Sequence, residues 1–105
     1  MEQPNLNYID ELSGDNLEFR TKLIGILKKE LPKEIIGYSG EMENTNFLEA
    51  AQSVHKLKHK ISILGLEKSY YIAEEYESDL KNNSTNLAVD FENILKIMQE
   101  FVNRL

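Results

Sequence analysis

Residues 47–64, with the sequence FLEAAQSVHKLKHKISIL, decide the fold of this 105-residue chain. Apolar residues recur in this stretch at alternating spacings of four and three positions, which is the repeat of one face of an α-helix. Gly65 follows directly and predicts the helix end, because glycine readily adopts the left-handed backbone conformation found there. The stretch therefore predicts a helix that faces the core. Its inward-facing residues are expected to be Ala50, Val54, Leu57, Ile61 and Leu64.

Helical periodicity continues on both sides of this stretch, and no alternating strand pattern of useful length is present. We expect a short helix at 8–12, a second helix from 17 to about 42, a fourth at 67–81 and a last one at 87–105. Four amphipathic helices with short connections bury their apolar faces most simply as an antiparallel four-helix bundle, which the short first helix would cap. The fold class is then all-α, with one domain over 1–105.

Caps and breaks refine this outline. Asp15 or Asn16 is expected to cap the second helix, and Thr45 or Asn46 the third, because their short side chains accept from free backbone N–H groups. Pro32 predicts a kink or a fresh start within the second helix. The apolar stripe expected on that helix comprises Leu17, Leu23, Ile24, Leu27, Leu31, Ile35, Ile36 and Tyr38. The fourth helix should bury Ala73, Tyr76 and Leu80, and the last should bury Leu87, Phe91, Ile94, Leu95, Met98, Phe101, Val102 and Leu105.

The composition narrows the functions that the chain can carry. Eighteen acidic and twelve basic side chains give a formal charge of −6, whereas affinity for nucleic acid phosphates requires a basic face. The absence of cysteine excludes a disulfide framework, a thiolate metal site and a catalytic thiol. No stretch approaches the ~18 apolar residues of a membrane span, and residues 1–4 lack the features of a signal peptide. We therefore expect a cytoplasmic protein that binds neither nucleic acid nor membrane.

The side of residues 47–64 that faces away from the stripe carries the candidate chemistry. At about 100° per residue, His55 points away from Leu57 and Ile61, so its imidazole should be exposed on a rigid helix. Lys58 should lie at the shoulder between the exposed face and the core. The run HKLKHK at 55–60 has three lysines and no acid, and it predicts a small basic patch. On this local chemistry alone, a surface histidine without special function is the ordinary interpretation.

The spacing of these residues resembles the histidine-containing phosphotransfer (HPt) domain. That family has a small or apolar residue, His, any residue, Leu, Lys and Gly, then an apolar-Gly pair and, further on, a Leu-Glu pair. The matching segments here are Val54-His55-Lys56-Leu57-Lys58, Leu64-Gly65-Leu66 and Tyr76-Glu77. Three positions depart from the pattern, because His59 replaces the Gly, Ser69 replaces an apolar residue and Tyr76 replaces the Leu.

The resemblance implies an intermediate of a two-component phosphorelay. His55 would accept a phosphoryl group from a receiver-domain aspartate and pass it to another, and Lys58 would neutralise charge on the phosphoryl oxygens. The partners would be receiver domains of response regulators and hybrid histidine kinases. These receivers would supply Mg²⁺, so the chain is expected to need no cofactor of its own. The resemblance also implies a monomer. Independent turnover is not expected, since GxxxxGK and GxGxxG are absent. The docking surface would comprise Gln52, Lys56, His59, Ser62 and Gly65.

Three other interpretations are open. His55 and His59 have the i, i+4 spacing of a metal site, but with no third histidine any further ligand would have to be a carboxylate from another helix. The second is an HPt-like module that binds receiver or kinase domains without carrying phosphate. The replacement of the family's Gly by His59 motivates it. The strongly apolar last helix could also mediate dimerisation, although its apolar positions do not exceed what a bundle helix buries.

Overall fold

The computed structural model describes residues 2–105, which form five α-helices and contain no β-strand. The elements are α1 (Asn7–Ser13), α2 (Leu17–Glu43), α3 (Phe47–Ile63), α4 (Glu67–Lys81) and α5 (Ala88–Asn103). α3 packs between α2 and α4, α5 packs against the same two helices, and α1 packs against α2. The result is an all-α helical bundle that measures 45 × 23 × 19 Å. None of the helices in the described range is long and apolar enough to cross a membrane.

The core contains the residues that the helical periodicity predicts on α3, α4 and α5. All five residues of the α3 stripe are fully buried, and Ala73, Tyr76 and Leu80 of α4 pack against them. Burying an apolar side chain of leucine size stabilises a fold by ~1.5–3 kcal/mol, so these stripes hold α3 in place. From α5, the buried residues are Phe91, Ile94, Leu95, Met98 and Val102, while Leu87, Phe101 and Leu105 are half-buried at its ends.

α2 departs from its predicted stripe at two residues. Leu17 and Ile36 are 74% and 71% exposed, so their predicted burial is wrong. Ile36 lies about 140° around the helix from the buried Leu31, and Leu17 is the first residue of α2. The helix also continues through Pro32 without interruption, so the expectation of a fresh start is wrong. Proline lacks the backbone N–H, so Pro32 removes one hydrogen bond of the helix, and α2 nevertheless extends to Glu43.

The N-terminal ends of α2 and α3 differ in how they are capped. The Asn16 side chain accepts from the Phe19 N–H at 3.0 Å, which confirms one of the two caps predicted for α2. Asn46 stands at the N-cap position of α3, but its side chain forms no capping hydrogen bond. The predicted side-chain cap of α3 is therefore wrong. At Thr45, the second candidate, the hydroxyl donates instead to the Asn44 carbonyl at 2.7 Å.

Gly65 ends α3 as predicted, in the left-handed region with φ +75°. Its N–H donates to the Ser62 carbonyl at 3.0 Å, and the Leu66 N–H donates to Ile61 at 3.2 Å. This pair of bonds is the Schellman arrangement of helix C-termini. A Cβ at Gly65 would lie 2.7 Å from the Asn5 side chain, so glycine also lets the N-terminal segment pack closely on the turn between α3 and α4.

Candidate functional site

α3 and α4 bring His55, Lys58 and Glu77 together across their interface. The Lys58 ammonium lies 2.9 Å from Glu77 Oε1. His55 Nδ1 lies 3.2 Å from Oε2 and 3.3 Å from Oε1 of the same carboxylate. Lys81, one turn after Glu77 on α4, approaches Oε2 at 3.5 Å. One carboxylate therefore holds the two residues that the sequence singled out on α3.

The two α3 residues differ in exposure. The His55 side chain is 57% exposed, which agrees with the predicted outward position. The Lys58 side chain is only 10% exposed, so it lies closer to the core than the predicted shoulder position. Its ammonium sits 5.6 Å from the centroid of the Tyr70 ring, within the range of a cation–π contact. The imidazole therefore faces solvent, whereas the neighbouring cation faces α4.

The charge state of Glu77 decides which nitrogen of His55 is free. Burial raises the pKa of the Glu77 carboxyl, but hydrogen bonds from Lys58 and His55 outweigh burial and hold that pKa below its ordinary value. The carboxylate is then ionised at neutral pH and can only accept hydrogen bonds. The His55 Nδ1 atom must therefore carry the hydrogen, and in the neutral ring the lone pair is on Nε2.

The predicted basic patch is absent, because two of its three lysines are paired. Lys58 is bound to Glu77, and the buried Lys60 lies 2.9 Å from Glu30 and 3.0 Å from Glu34, both on α2. Lys56 alone is exposed and forms no ion pair with any residue in the described range. The prediction of a basic patch is wrong because the lysines of the run stand at every second position, and residues two positions apart point to opposite sides of a helix.

The five predicted docking residues are distributed along α3 and the turn that follows it. His59, Ser62 and Gly65 line a groove between α1, α3 and α4. Lys56 lies on the other flank of α3, where it borders α2. Gln52 is exposed on α3 and lines neither groove. His59 is also exposed, and its ring meets that of His55 edge-on, with centroids 5.6 Å apart.

Two of the departures from the family pattern have structural partners. The Ser69 N–H and hydroxyl donate to Oε1 of Glu2 at 2.9 and 3.1 Å, so this buried serine anchors the N-terminal segment on α4. The hydroxyls of the buried Tyr38 and Tyr76 share a hydrogen bond of 2.6 Å, and Tyr38 also donates to Glu92. The hydroxyls of Ser69 and Tyr76 therefore both have hydrogen-bond partners within the bundle.

Glu77 is the residue of the site to which sequence reasoning gave no role. It entered only as part of the Tyr76-Glu77 pair. A signal was available, because Glu77 is one turn after Ala73 and directly follows Tyr76, both on the inner face of α4. A carboxylate at the edge of a buried face needs a cationic partner, and the lysines of α3 were the candidates.

The structure offers no support for a metal site. Within residues 2–105, no group of three or more His, Cys, Asp or Glu side chains is placed to hold a metal ion. His55 and His59 therefore have the spacing of a ligand pair without the further ligand that a stable site requires.

Comparison with models of known protein families finds no match to this chain. Comparisons with curated proteins and with solved structures find none either. These comparisons neither support nor oppose the resemblance to HPt domains.

Proposed function

We propose that this chain is a histidine phosphotransfer intermediate, which accepts a phosphoryl group from a receiver-domain aspartate on His55 and passes it to another receiver. The observation that carries the proposal is the exposed His55 imidazole with Nδ1 bound to Glu77. This contact fixes the tautomer and leaves the nucleophilic nitrogen Nε2 free. A nucleophile oriented by a hydrogen-bonded third group is the usual arrangement in covalent catalysis.

The proposed fold is an antiparallel four-helix bundle of α2–α5, with α1 capping one end. Two features support it: the connections are short, and each of the four helices packs against two of the others. Such a bundle presents His55 in the middle of a 17-residue helix. Phosphoryl transfer depends mainly on positioning and electrostatics, so a rigid helix suits the task.

The transfer step is a direct displacement at phosphorus. The Nε2 lone pair of His55 attacks the aspartyl phosphate in line, the N–P bond forms, and the P–O bond to the aspartate breaks. The aspartate leaves as a carboxylate, and the imidazole ring gains positive charge while Nδ1 keeps its proton. The Glu77 carboxylate stabilises that charge from a fixed position. The reverse sequence, with a second receiver, returns His55 to its neutral form, and the receivers supply the Mg²⁺.

Lys58 contributes through Glu77 in this proposal. Its ammonium is committed to the carboxylate at 2.9 Å, so direct contact with phosphoryl oxygens would require that bond to open. Burial lowers the pKa of Lys58, but its bond to Glu77 outweighs burial and the pKa is raised. The lysine therefore stays charged and holds the carboxylate in place for His55, which makes it a positioning residue.

Transfer from radiolabelled, phosphorylated receiver domains to the wild-type chain tests the proposal, with His55→Gln and His59→Gln as matched variants. We expect an acid-labile, alkali-stable phosphate on the wild type and on His59→Gln, and none on His55→Gln. Because His55 is exposed, all three proteins should fold, which circular dichroism checks. Acceptance of phosphate by His55→Gln would show that the site assignment is wrong.

A non-catalytic HPt-like module is the second candidate, and the His59 ring against that of His55 favours it. An imidazole at this distance crowds the approach of a receiver to Nε2. Under this alternative, receivers would bind the wild type without transferring phosphate, and His59→Gly would restore transfer. Wild-type transfer at a rate unaffected by His59→Gly would exclude it.

A further inference from the structure

A groove of about 590 Å³ opens beside His55, between α1, α3 and α4. His59, whose ring touches that of His55, and Ser62 form its α3 side. Asn5, packed on Gly65, closes it at the turn between α3 and α4. A protein that reaches His55 therefore has this groove within its footprint.

The chemistry of the groove is aromatic and acidic. Tyr8 and Tyr71, which are 45% and 61% exposed, contribute two aromatic rings. Glu11 and Glu67 contribute exposed carboxylates that form no ion pair or hydrogen bond with any residue in the described range. No lysine or arginine from residues 2–105 lines the groove. Unpaired carboxylates beside exposed aromatic faces attract a cation.

Tyr70 also lines the groove, and its ring already has a cation of this chain beside it. Lys58 places its ammonium 5.6 Å from the centroid of the Tyr70 ring, and Tyr70 meets Tyr71 edge-on with centroids 5.7 Å apart. Since Tyr70 has a cation from within the chain, the rings of Tyr8 and Tyr71 are the ones left for a partner. On the opposite flank of α3, the exposed Lys56 is the one lysine of the 55–60 run without an ion pair in residues 2–105.

We propose that the groove binds an arginine side chain of the receiver domain that exchanges phosphate with His55. The inference rests on the proposed function and adds a specificity determinant to it. A guanidinium stacks on aromatic rings and bonds carboxylates in a bidentate manner, which an ammonium does less well. With the groove on one flank of His55 and Lys56 on the other, the receiver docks in one orientation.

The test compares Glu11→Gln/Glu67→Gln with Glu18→Gln/Glu75→Gln, which removes the same charge from exposed positions outside the groove. Each is phosphorylated by a receiver with an arginine beside its active site, and separately by phosphoramidate, which needs no docking. We expect ~10-fold slower transfer from the receiver for the groove variant only, as for a lost charged contact at an interface. Phosphoramidate should phosphorylate the wild type and both variants at the same rate. The receiver variant Arg→Gln should show the same loss, with no further loss when combined with the groove variant.

A second arm does not depend on phosphoryl transfer. Amide chemical shifts of the wild type are followed during titration with N-acetylarginine methylamide, and with N-acetylglutamine methylamide as the neutral control. We expect shifts confined to the groove with the arginine compound, lost in the groove variant and in Tyr71→Leu. Equal shifts with both compounds, or receiver transfer equally fast in the groove and control variants, would overturn the inference. If no receiver transfers phosphate, the proposed function fails while this titration still decides the groove.

Discussion

Lys58 and Lys60 stand two positions apart on α3, and their surroundings are alike in most respects. Both are buried, and each is paired with glutamate from a neighbouring helix, Glu77 of α4 for Lys58 and Glu30 and Glu34 of α2 for Lys60. They differ in what else the glutamate holds. Glu77 also binds the exposed His55, whereas Glu34 Oε1 is buried without a hydrogen-bond partner.

A buried ion pair by itself is therefore weak evidence for function. Such pairs contribute modestly to stability, since desolvation offsets much of the attraction. On the α2 side of α3, the ion pairs of Lys60 only join the two helices. On the α4 side, the glutamate that pairs with Lys58 also binds the imidazole of His55, which is titratable and lies at the surface. Only the second arrangement can pass an electrostatic effect to a reacting atom.

The largest effect on stability is expected from Leu57→Ala, because this residue of α3, next to Lys58 in the chain, is fully buried. The cavity should lower the free energy of unfolding by ~2–5 kcal/mol. Urea denaturation measures it. If the variant and the wild type unfolded at the same urea concentration, the orientation assigned to α3 would be wrong.

The next effect separates the two lysines directly. Lys58→Met and Lys60→Met each remove a cation and keep an apolar stem, so each should lower stability by ~1–3 kcal/mol through the partly buried glutamate left behind. Only Lys58→Met should also slow phosphorylation of His55, by ~10-fold, as for a lost positioning contact. Rates are compared per folded molecule. Equal slowing in both variants would remove the distinction between the two pairs.

A smaller effect should appear in the pH dependence of Glu77→Gln. The pKa of Glu77 is lower in the folded chain than its ordinary value of 4.5, so the unfolded chain binds more protons and stability rises with pH. The contribution of Glu77 is thus present above about pH 4.5 and lost as pH falls through its folded pKa. We expect the variant to be ~1–2 kcal/mol less stable at pH 7, with the difference shrinking towards pH 3. Glu75→Gln, on exposed α4 surface, is the control.

The smallest effect concerns a residue outside both pairs. A Cβ at Gly25, within α2, would meet nothing within 4 Å. Gly25→Ala should therefore stabilise the chain by ~0.5–1 kcal/mol through helix propensity, with phosphorylation of His55 unchanged. A change in that rate would mean that stability, and not the contacts of Glu77, governs the reaction.

The sequence predicted what depends on local periodicity. The α3 stripe, the end at Gly65, the Asn16 cap and the exposure of His55 all follow from the repeat of the helix and from backbone preferences. The pairing of Lys58 and Lys60 does not, because it depends on which helices flank α3 and at what height. The basic patch was predicted from adjacency along the chain, and the structure divides it between α2 and α4. Likewise, the sequence contains Glu77, but its position opposite His55 depends on how α4 packs against α3.

In the proposed function, Glu77 holds Nδ1 of His55 and leaves Nε2 to carry the phosphoryl group. The most direct measurement is phosphorylation of ¹⁵N-labelled protein with phosphoramidate, followed by detection of the ¹⁵N–³¹P coupling that identifies the bonded nitrogen. We predict one phosphohistidine, on Nε2 of His55. Phosphate on Nδ1 of His55, or on His59 instead, would contradict the proposed role of Glu77.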